Sequence, residues 1–386
     1  MPIINRINEF TEEIIAWRHD FHANPELMYA EHRTAARVRA LLESFGIEEV
    51  ATGLGKTGVV GIIHGNRPGR TIGLRADMDA LPMTETTGLP HASTVPGRMH
   101  ACGHDGHTAM LLGAAKYLAE TRDFAGTVAV IFQPAEEGGA GGFAMAEDGL
   151  FDRWPIEQVF ALHNLPGEPE GRVVTRPGAL LASADMFDIV IRGKGGHAAW
   201  PHDTVDPVVA AGQIITAIQT IVSRRVGPLQ SAVVSVTQVH GGSAYNVIPD
   251  QVALAGTIRT LDPELRERAT QRMEEIVHGV GAALEVAAEI TFDRVTGVVM
   301  NDPDLTDFCA EVAGGIVGAD NVDTEMEPLM GGDDFCYMAE RRPACYVFMG
   351  NGESSGLHTT DYDFNDRIIP TGVSYWIRLA QAATGR

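Results

Sequence analysis

DMFDIVIRG (185–193), DPVVAAGQIITAIQTIVSRR (206–225), SAVVSVTQVHGG (231–242), QVALAGTIRT (251–260), DPELRERATQRMEEIVHGVGAALE (262–285) and VAAEITF (286–292) form one run near the middle of the chain. The first, third, fourth and sixth are short, apolar and rich in β-branched residues, and read as strands. The second and fifth repeat apolar residues at helical spacing, and Pro207 suits a first helical turn. The order β-α-β-β-α-β is the split pattern of a small ferredoxin-like sandwich. It lies within the chain, so it reads as a domain inserted at 183–295. A larger domain is then built from both flanks, 1–182 and 296–386.

The flanks alternate strand and helix. Residues 5–23, 32–45, 107–120, 303–317 and 370–383 have helical periodicity. GVVGIIHG (58–65), TIGLRAD (71–77), GTVAVIFQ (126–133), EQVFALHN (157–164) and ACYVFMGNG (344–352) read as strands. This alternation predicts an α/β domain with a mostly parallel sheet covered by helices.

Composition narrows the function classes. The chain has 386 residues, 45% of them hydrophobic, enough for two or three domains with sizeable cores. Asp and Glu outnumber Lys and Arg 51 to 29, a formal charge of −22. Nucleic acids and anionic membranes both need basic surface, so neither is an expected partner. The N-terminal MPIINRINEFTEEIIAW is interrupted by Arg6, Glu9, Glu12 and Glu13, so no secretory apolar core forms. No run reaches the ~18–20 apolar residues of a membrane span. Cys102, Cys309, Cys336 and Cys345 are too sparse for a disulfide framework, which fits a reduced cytoplasmic setting.

Ligand-capable residues gather just past predicted strands. Asp77 follows TIGLR, Glu136 and Glu137 follow VAVIFQPA, His163 closes QVFAL, and His358 lies beyond CYVFMG. RMHACGHDGHTAM (98–110) adds Cys102, His104 and further histidines before a helix. In open α/β sheets ligands bind beyond the carboxyl ends of the strands, where distant loops meet. One thiolate, three imidazoles and two or more carboxylates exceed the needs of one open metal site and suit two divalent ions. Neighbouring Glu136 and Glu137 point in different directions from a turn. One can ligate while the other serves as general base and then protonates a leaving nitrogen. His100, Asp105 and His107 either order this loop or cap the helix that follows.

RADMDALPM (75–83), MHACGHDGHTAMLLGAA (99–115), QPAEEGGAGG (133–142), ALHNLP (161–166), GKGGHAAWPH (193–202), NVIPD (246–250), GTIRT (256–260), MGGDDFCYM (330–338) and LHTTDYDFND (357–366) resemble the M20 metallopeptidase family, and within it the amidohydrolase branch. The likeness runs through nearly the whole chain in order. It implies that Cys102 bridges two metals, that His104 and His163 complete one site, and that Glu137 and His358 complete the other. It makes Glu136 the general base and Asp77 a carboxylate that orients a ligand histidine. The insert becomes a lid and dimerisation domain, giving a homodimer or homotetramer. His197 becomes the lid donor to the substrate oxyanion, and Asn246 and Arg259 grip its α-carboxylate. The wider family carries a metal-binding histidine two residues before Asp77 and a bridging aspartate later. Arg75 and Cys102 stand in those places here. Metal identity is therefore left among Mn, Zn, Co and Ni.

The implied reaction is hydrolysis of N-acyl-L-amino acids, hippurate-like or N-acetylated, to a carboxylate and a free amino acid. Dipeptidase or carboxypeptidase activity uses the same bond chemistry. Leu180, Leu181 and Trp200 are candidates for acyl contacts or plain packing. Two rivals lie in other classes: a hydrolase with Cys102 as nucleophile beside His104, and a non-catalytic binder of acylated amino acids.

Overall fold

A computed structural model describes residues 5–385. The first four residues and Arg386, which end the expected larger domain, lie outside the described residues. The chain divides into two compact units. The first comprises the chain up to Leu180, Met300–Glu327 and the chain from Asp334; the second comprises Leu181–Val299 and Pro328–Asp333.

The first unit is built on an eight-stranded sheet. Its strands lie in the order Glu49–Leu54, Gly58–His64, Ala125–Gln133, Arg67–Asp77, Ile156–Pro166, Ala344–Gly352, Val173–Val174, Val322–Asp323. The four central strands from Ala125–Gln133 to Ala344–Gly352 run parallel, and antiparallel pairs lie to either side. The central strands are buried over most of their length, the signature of a sheet covered on both faces. Register decides what meets at their carboxyl ends. Asp77 lies opposite Gln133, Arg75 opposite Ala161, and His163 opposite Phe348.

The helix His104–Thr121 is buried along most of its length and packs against Thr11–Ala23 and Ile369–Ala383. Ile14, Leu111, Leu112, Val373 and Ile377 are all fully buried in this core, each stabilising it by roughly 1.5–3 kcal/mol. The helix begins three residues before the periodic stretch 107–120. Gly103, at φ 97°, is its N-cap, and the Gly103 carbonyl accepts from the amides of Gly106 and His107. His104, Asp105 and His107 therefore occupy the first helical turn. The helix read at 5–23 is broken into Asn5–Asn8 and Thr11–Ala23, and the break lets Ile7, Phe10 and Ile14 all face the core.

The second unit has a four-stranded sheet ordered Ala232–Gly241, Gln251–Thr260, Ser183–Arg192, Ala287–Thr296, with every neighbouring pair antiparallel. The helices Pro207–Arg225 and Pro263–Ala283 pack on it around a core that includes Ile189, Ile214, Ile218, Leu254, Met273 and Val277. Both helices open on Asp-Pro. Asp206 accepts the amides of Val208 and Val209, and Asp262 those of Glu264 and Leu265, so the free first-turn donors are satisfied where proline has none to offer. The segment Pro328–Asp333 joins this unit because the Ala182 amide bonds the carbonyls of Leu329 and Gly331. A short antiparallel pair joins Gly196–His197 to Val247–Ile248, and the Ala198 amide donates to the Asn246 carbonyl at 3.0 Å.

Candidate metal centre

At the carboxyl ends of the central strands, side chains from five segments of the first unit converge. Cys102, His104 and His163 form one group whose candidate ligand atoms all lie within 4.8 Å of one another. Cys102, Glu137 and His358 form a second group on the same criterion, so the two share the Cys102 sulfur. His104, Glu136 and Glu137 form a third, and Asp77, His104 and His107 a fourth. The Cys102 Sγ is 3.4 Å from His163 Nε2, His358 Nε2 is 3.2 Å from Glu137 Oε1, and Glu136 Oε2 is 3.9 Å from His104 Nε2.

The imidazoles are aimed by their other nitrogens. His104 Nδ1–H donates to the Asp79 carbonyl at 2.9 Å, and His163 Nδ1–H donates to the Asn164 carbonyl at 2.7 Å. Each bond fixes the tautomer that turns a bare Nε2 toward the cluster, as in metal-ligating histidines. His104 Nε2 is buried yet has no hydrogen-bond partner, and the buried Glu137 Oε1 faces only the His358 ring. Leaving such atoms unmatched costs about 1–3 kcal/mol each. A shared cation removes that cost, so the donor set fits divalent metal.

Backbone conformation supports the same point. His358 is in the left-handed region at φ 61°, held by its amide bond to the Ala101 carbonyl at 2.8 Å. Ala135, just before the glutamate pair, sits at φ 53°. Non-glycine residues adopt this conformation at a cost, and such residues cluster at functional sites.

The electrostatics of the metal-free cluster bear on the cysteine. Burial and the charge of Glu137 push the Cys102 thiol up. A nucleophilic cysteine needs the opposite, a thiolate favoured by its surroundings. Burial disfavours charge on His104, but Asp77 and Cys102 outweigh it and hold the ring well above the ordinary histidine value. Burial pushes His163 well below it. Hydrogen bonds to Cys102 and Glu137 carry His358 up to about 10.

The hydrogen bonds around Asp77 run differently from a direct bond to a ligand histidine. Its Oδ1 accepts from His107 Nδ1 at 2.6 Å and its Oδ2 from Arg75 at 2.7 Å, while His104 Nε2 is 3.8 Å away. His107 Nε2 in turn accepts the Asn164 amide at 3.1 Å, next in sequence to His163. Asp79, not singled out from the sequence, has the position closest to His104: its carbonyl binds the ring and its Oδ2 accepts the Glu137 amide at 2.9 Å. The signal was present in RADMDALPM, where a second acid follows Asp77 at a two-residue interval. His197, Asn246 and Arg259 belong to the second unit and to none of these groups. There His197 is exposed, with its ring 4.8 Å from that of Trp200, and Arg259 donates to the Met330 carbonyl at 3.3 Å. Leu180 and Leu181 are buried, whereas Trp200 is exposed.

A family model described as peptidase family M20/M25/M40 matches residues 73–382. The hippurate hydrolase of Campylobacter jejuni is 41% identical over 98% of this chain and 99% of its own length. The N-acetylcysteine deacetylase of Bacillus subtilis is 40% identical over 96% of this chain and 97% of its own. The crystal structure of a dinuclear metal binding peptidase from the M20 family of Bacillus subtilis superposes with a TM-score of 0.85 at 36% identity, covering 98% of this chain and 99% of that one. With its motifs in order and its strand-end ligands gathered, the chain belongs to peptidase family M20/M25/M40.

Proposed function

We propose that this protein is a metal-dependent amidohydrolase that cleaves N-acyl-L-amino acids into a carboxylate and a free amino acid. The observation that carries the reading is the pair of ligand groups joined at Cys102, with Glu136 beside the ligand Glu137. Full-length relatives that act on hippurate and N-acetylcysteine support the substrate class. Cys102, His104 and His163 would hold one divalent ion and Cys102, Glu137 and His358 another, drawn from Mn, Zn, Co or Ni. Such ions, when bound, polarise a scissile carbonyl and acidify a water.

Glu136 takes the proton of the attacking water and returns it to the amine as the C–N bond breaks. Asp77 acts at one remove, through His107 and Asn164, on the orientation of His163. His197 serves as donor to the developing oxyanion, and Asn246 and Arg259 bind the amino acid carboxylate. A guanidinium fork matches a planar carboxylate, which supports the role of Arg259. Assembly is a homodimer or homotetramer through the second unit, and the setting is the cytoplasm. No described helix is long and apolar enough to cross a membrane.

The test is release of amino acid from hippurate, N-acetyl amino acids and dipeptides by chelated enzyme, before and after adding each metal. Activity that vanishes on chelation and returns with metal is expected; activity that survives thorough chelation overturns the reading. Glu136→Gln should keep fold and metal and lose roughly 10²–10⁴-fold in kcat. Near-normal turnover in that variant removes Glu136 from the role of base.

A further inference from the structure

The turn that carries Glu136 and Glu137 is gripped at three backbone points by side chains outside the ligand groups. The Ala135 amide donates to Glu31 Oε1 at 2.8 Å. The Glu137 amide donates to Asp79 Oδ2 at 2.9 Å. The Tyr29 hydroxyl donates to the Gly139 carbonyl at 2.5 Å. Glu136 thus lies between two anchored amides.

Glu31 is costly in this position. It is fully buried, and among the described residues no Lys, Arg or His forms an ion pair with it. Its remaining oxygen accepts the Thr57 hydroxyl at 2.6 Å. A buried carboxylate without a cation is expensive, and burial pushes this one up from its ordinary value. Helix capping does not explain it. Glu31 is the N-cap residue of His32–Ser44, yet its side chain makes no capping bond. Glu26 satisfies that helix end instead, accepting the amides of Arg33 at 3.0 Å and Thr34 at 2.8 Å. Tyr29 is also held against its preference, at φ 60°, with the Lys56 ammonium 3.9 Å from its ring centroid. Two unfavourable features, more than 100 residues before the glutamate pair, thus end on the same turn.

We propose that Glu31 and Tyr29 are positioning residues that set the direction of the Glu136 carboxylate by fixing the amide before it and the carbonyl after it. The proposal rests on the reading of Glu136 as general base. Small displacements of a catalytic group are enough to matter, since ~1 Å can cost about 10²-fold in rate.

The experiment compares Glu31→Ala, Glu31→Gln, Tyr29→Phe and Glu136→Gln with wild type, all metal-loaded, on hippurate and N-acetylcysteine. It reads kcat, KM, metal content, and deuterium exchange of the peptide spanning 134–142. Glu31→Ala should lower kcat by about 10²-fold with KM within about threefold, full metal content and faster exchange of that peptide. Glu31→Gln keeps an acceptor for the Ala135 amide and can donate to Thr57, so it should recover to within about fivefold of wild type. Tyr29→Phe loses one bond and should fall about three- to tenfold. Unchanged kcat and exchange in a folded Glu31→Ala overturn the proposal, as does a Glu31→Gln no better than Glu31→Ala. Should Glu31→Ala not fold, Tyr29→Phe decides: wild-type kcat and exchange there overturn the proposal. A fully active Glu136→Gln defeats the base reading instead, whereas an inactive one beside a fully active Glu31→Ala defeats only the anchor.

Discussion

Replacing Gly103 by alanine should damage the metal loop through two separable costs. Gly103 sits at φ 97° as N-cap of the helix that bears His104. A side chain in this left-handed region costs roughly 1–2 kcal/mol. An added Cβ would also lie 2.2 Å from Asn164 Oδ1 and 2.8 Å from the Tyr362 hydroxyl. Neither neighbour can withdraw freely. Asn164 donates to Tyr362 at 2.6 Å, its side-chain oxygen lies 2.7 Å from His107 Nε2, and all three residues are buried. Overpacking of this kind costs about 1–3 kcal/mol, with ~1 kcal/mol more for each hydrogen bond lost. With one hydrogen bond lost, the sum is about 3–6 kcal/mol. Gly97 provides the control, because it sits at φ 74° with no atom within 4 Å of its added Cβ. Gly97→Ala should show only the conformational cost, about 1 kcal/mol. Calorimetry of the two metal-free variants is the assay. At roughly 2 °C per kcal/mol for a unit of this size, the excess of about 2–5 kcal/mol should make Gly103→Ala melt about 4–10 °C below Gly97→Ala. Transitions that agree within ~1 °C would refute the steric argument.

Two further expectations concern the surroundings of the cluster. Burial opposes charge on His22, but Asp105 and then Glu85 outweigh it and raise its pKa from 6.5 to about 9. The folded form therefore holds the proton more tightly than the unfolded chain. The resulting stability, on the order of 3 kcal/mol and shared with Asp105, is complete below about pH 6.5 and lost as pH rises through about 9. Denaturation of wild type and His22→Gln across pH 6–10 should show this slope only in wild type; parallel curves would count against it. His107→Ala removes the link between Asp77 and Asn164 and should weaken metal binding about 10–100-fold, read by competition with a chromophoric chelator. Unchanged affinity would show that His163 needs no such support.

Local chemistry was legible in the sequence, and pairing between distant segments was not. Alternating strands and helices marked the α/β unit, and Asp77 ends its strand as the sequence pattern put it, whereas the strand that carries His163 runs on three residues to Pro166. Asp-Pro marked true helix starts because both residues act within one turn. The helix at His104 began early without a signal, since a left-handed glycine is its N-cap and offers no capping side chain. Glu31 looked like one acid in an acidic chain, and only the fold brings it to Ala135. The antiparallel pair that sets the Asn246 carbonyl against the Ala198 amide joins two-residue strands about 50 residues apart, too short for any periodicity to register. Pro328–Asp333 has no pattern of its own and is placed by hydrogen bonds that include two from Ala182 and one from Arg259.

Arg75 leaves a fourth close-packed group of ligand types with no Asp77 oxygen free for an ion. Asp77, His104 and His107 meet the distance criterion for holding a cation. Yet one oxygen of Asp77 is engaged by His107 and the other by the Arg75 guanidinium. Arg75 is 2% exposed, and it also donates to Gln133 at 2.9 Å and to Asp334 at 3.1 Å. A guanidinium cannot surrender its proton to become a ligand. Burial works against charge on Asp77, but His104 and Arg75 outweigh it and hold the carboxyl well below the ordinary value. Arg75 therefore keeps Asp77 ionised without a metal and, with His107, occupies both of its oxygens. Through Asp334, whose other oxygen accepts the Gly142 amide at 2.8 Å, the same guanidinium also reaches the far end of the glutamate turn. One fixed cation thus ties the histidine scaffold to the segment that carries Glu136, a task no titratable ligand in that position could perform at every pH.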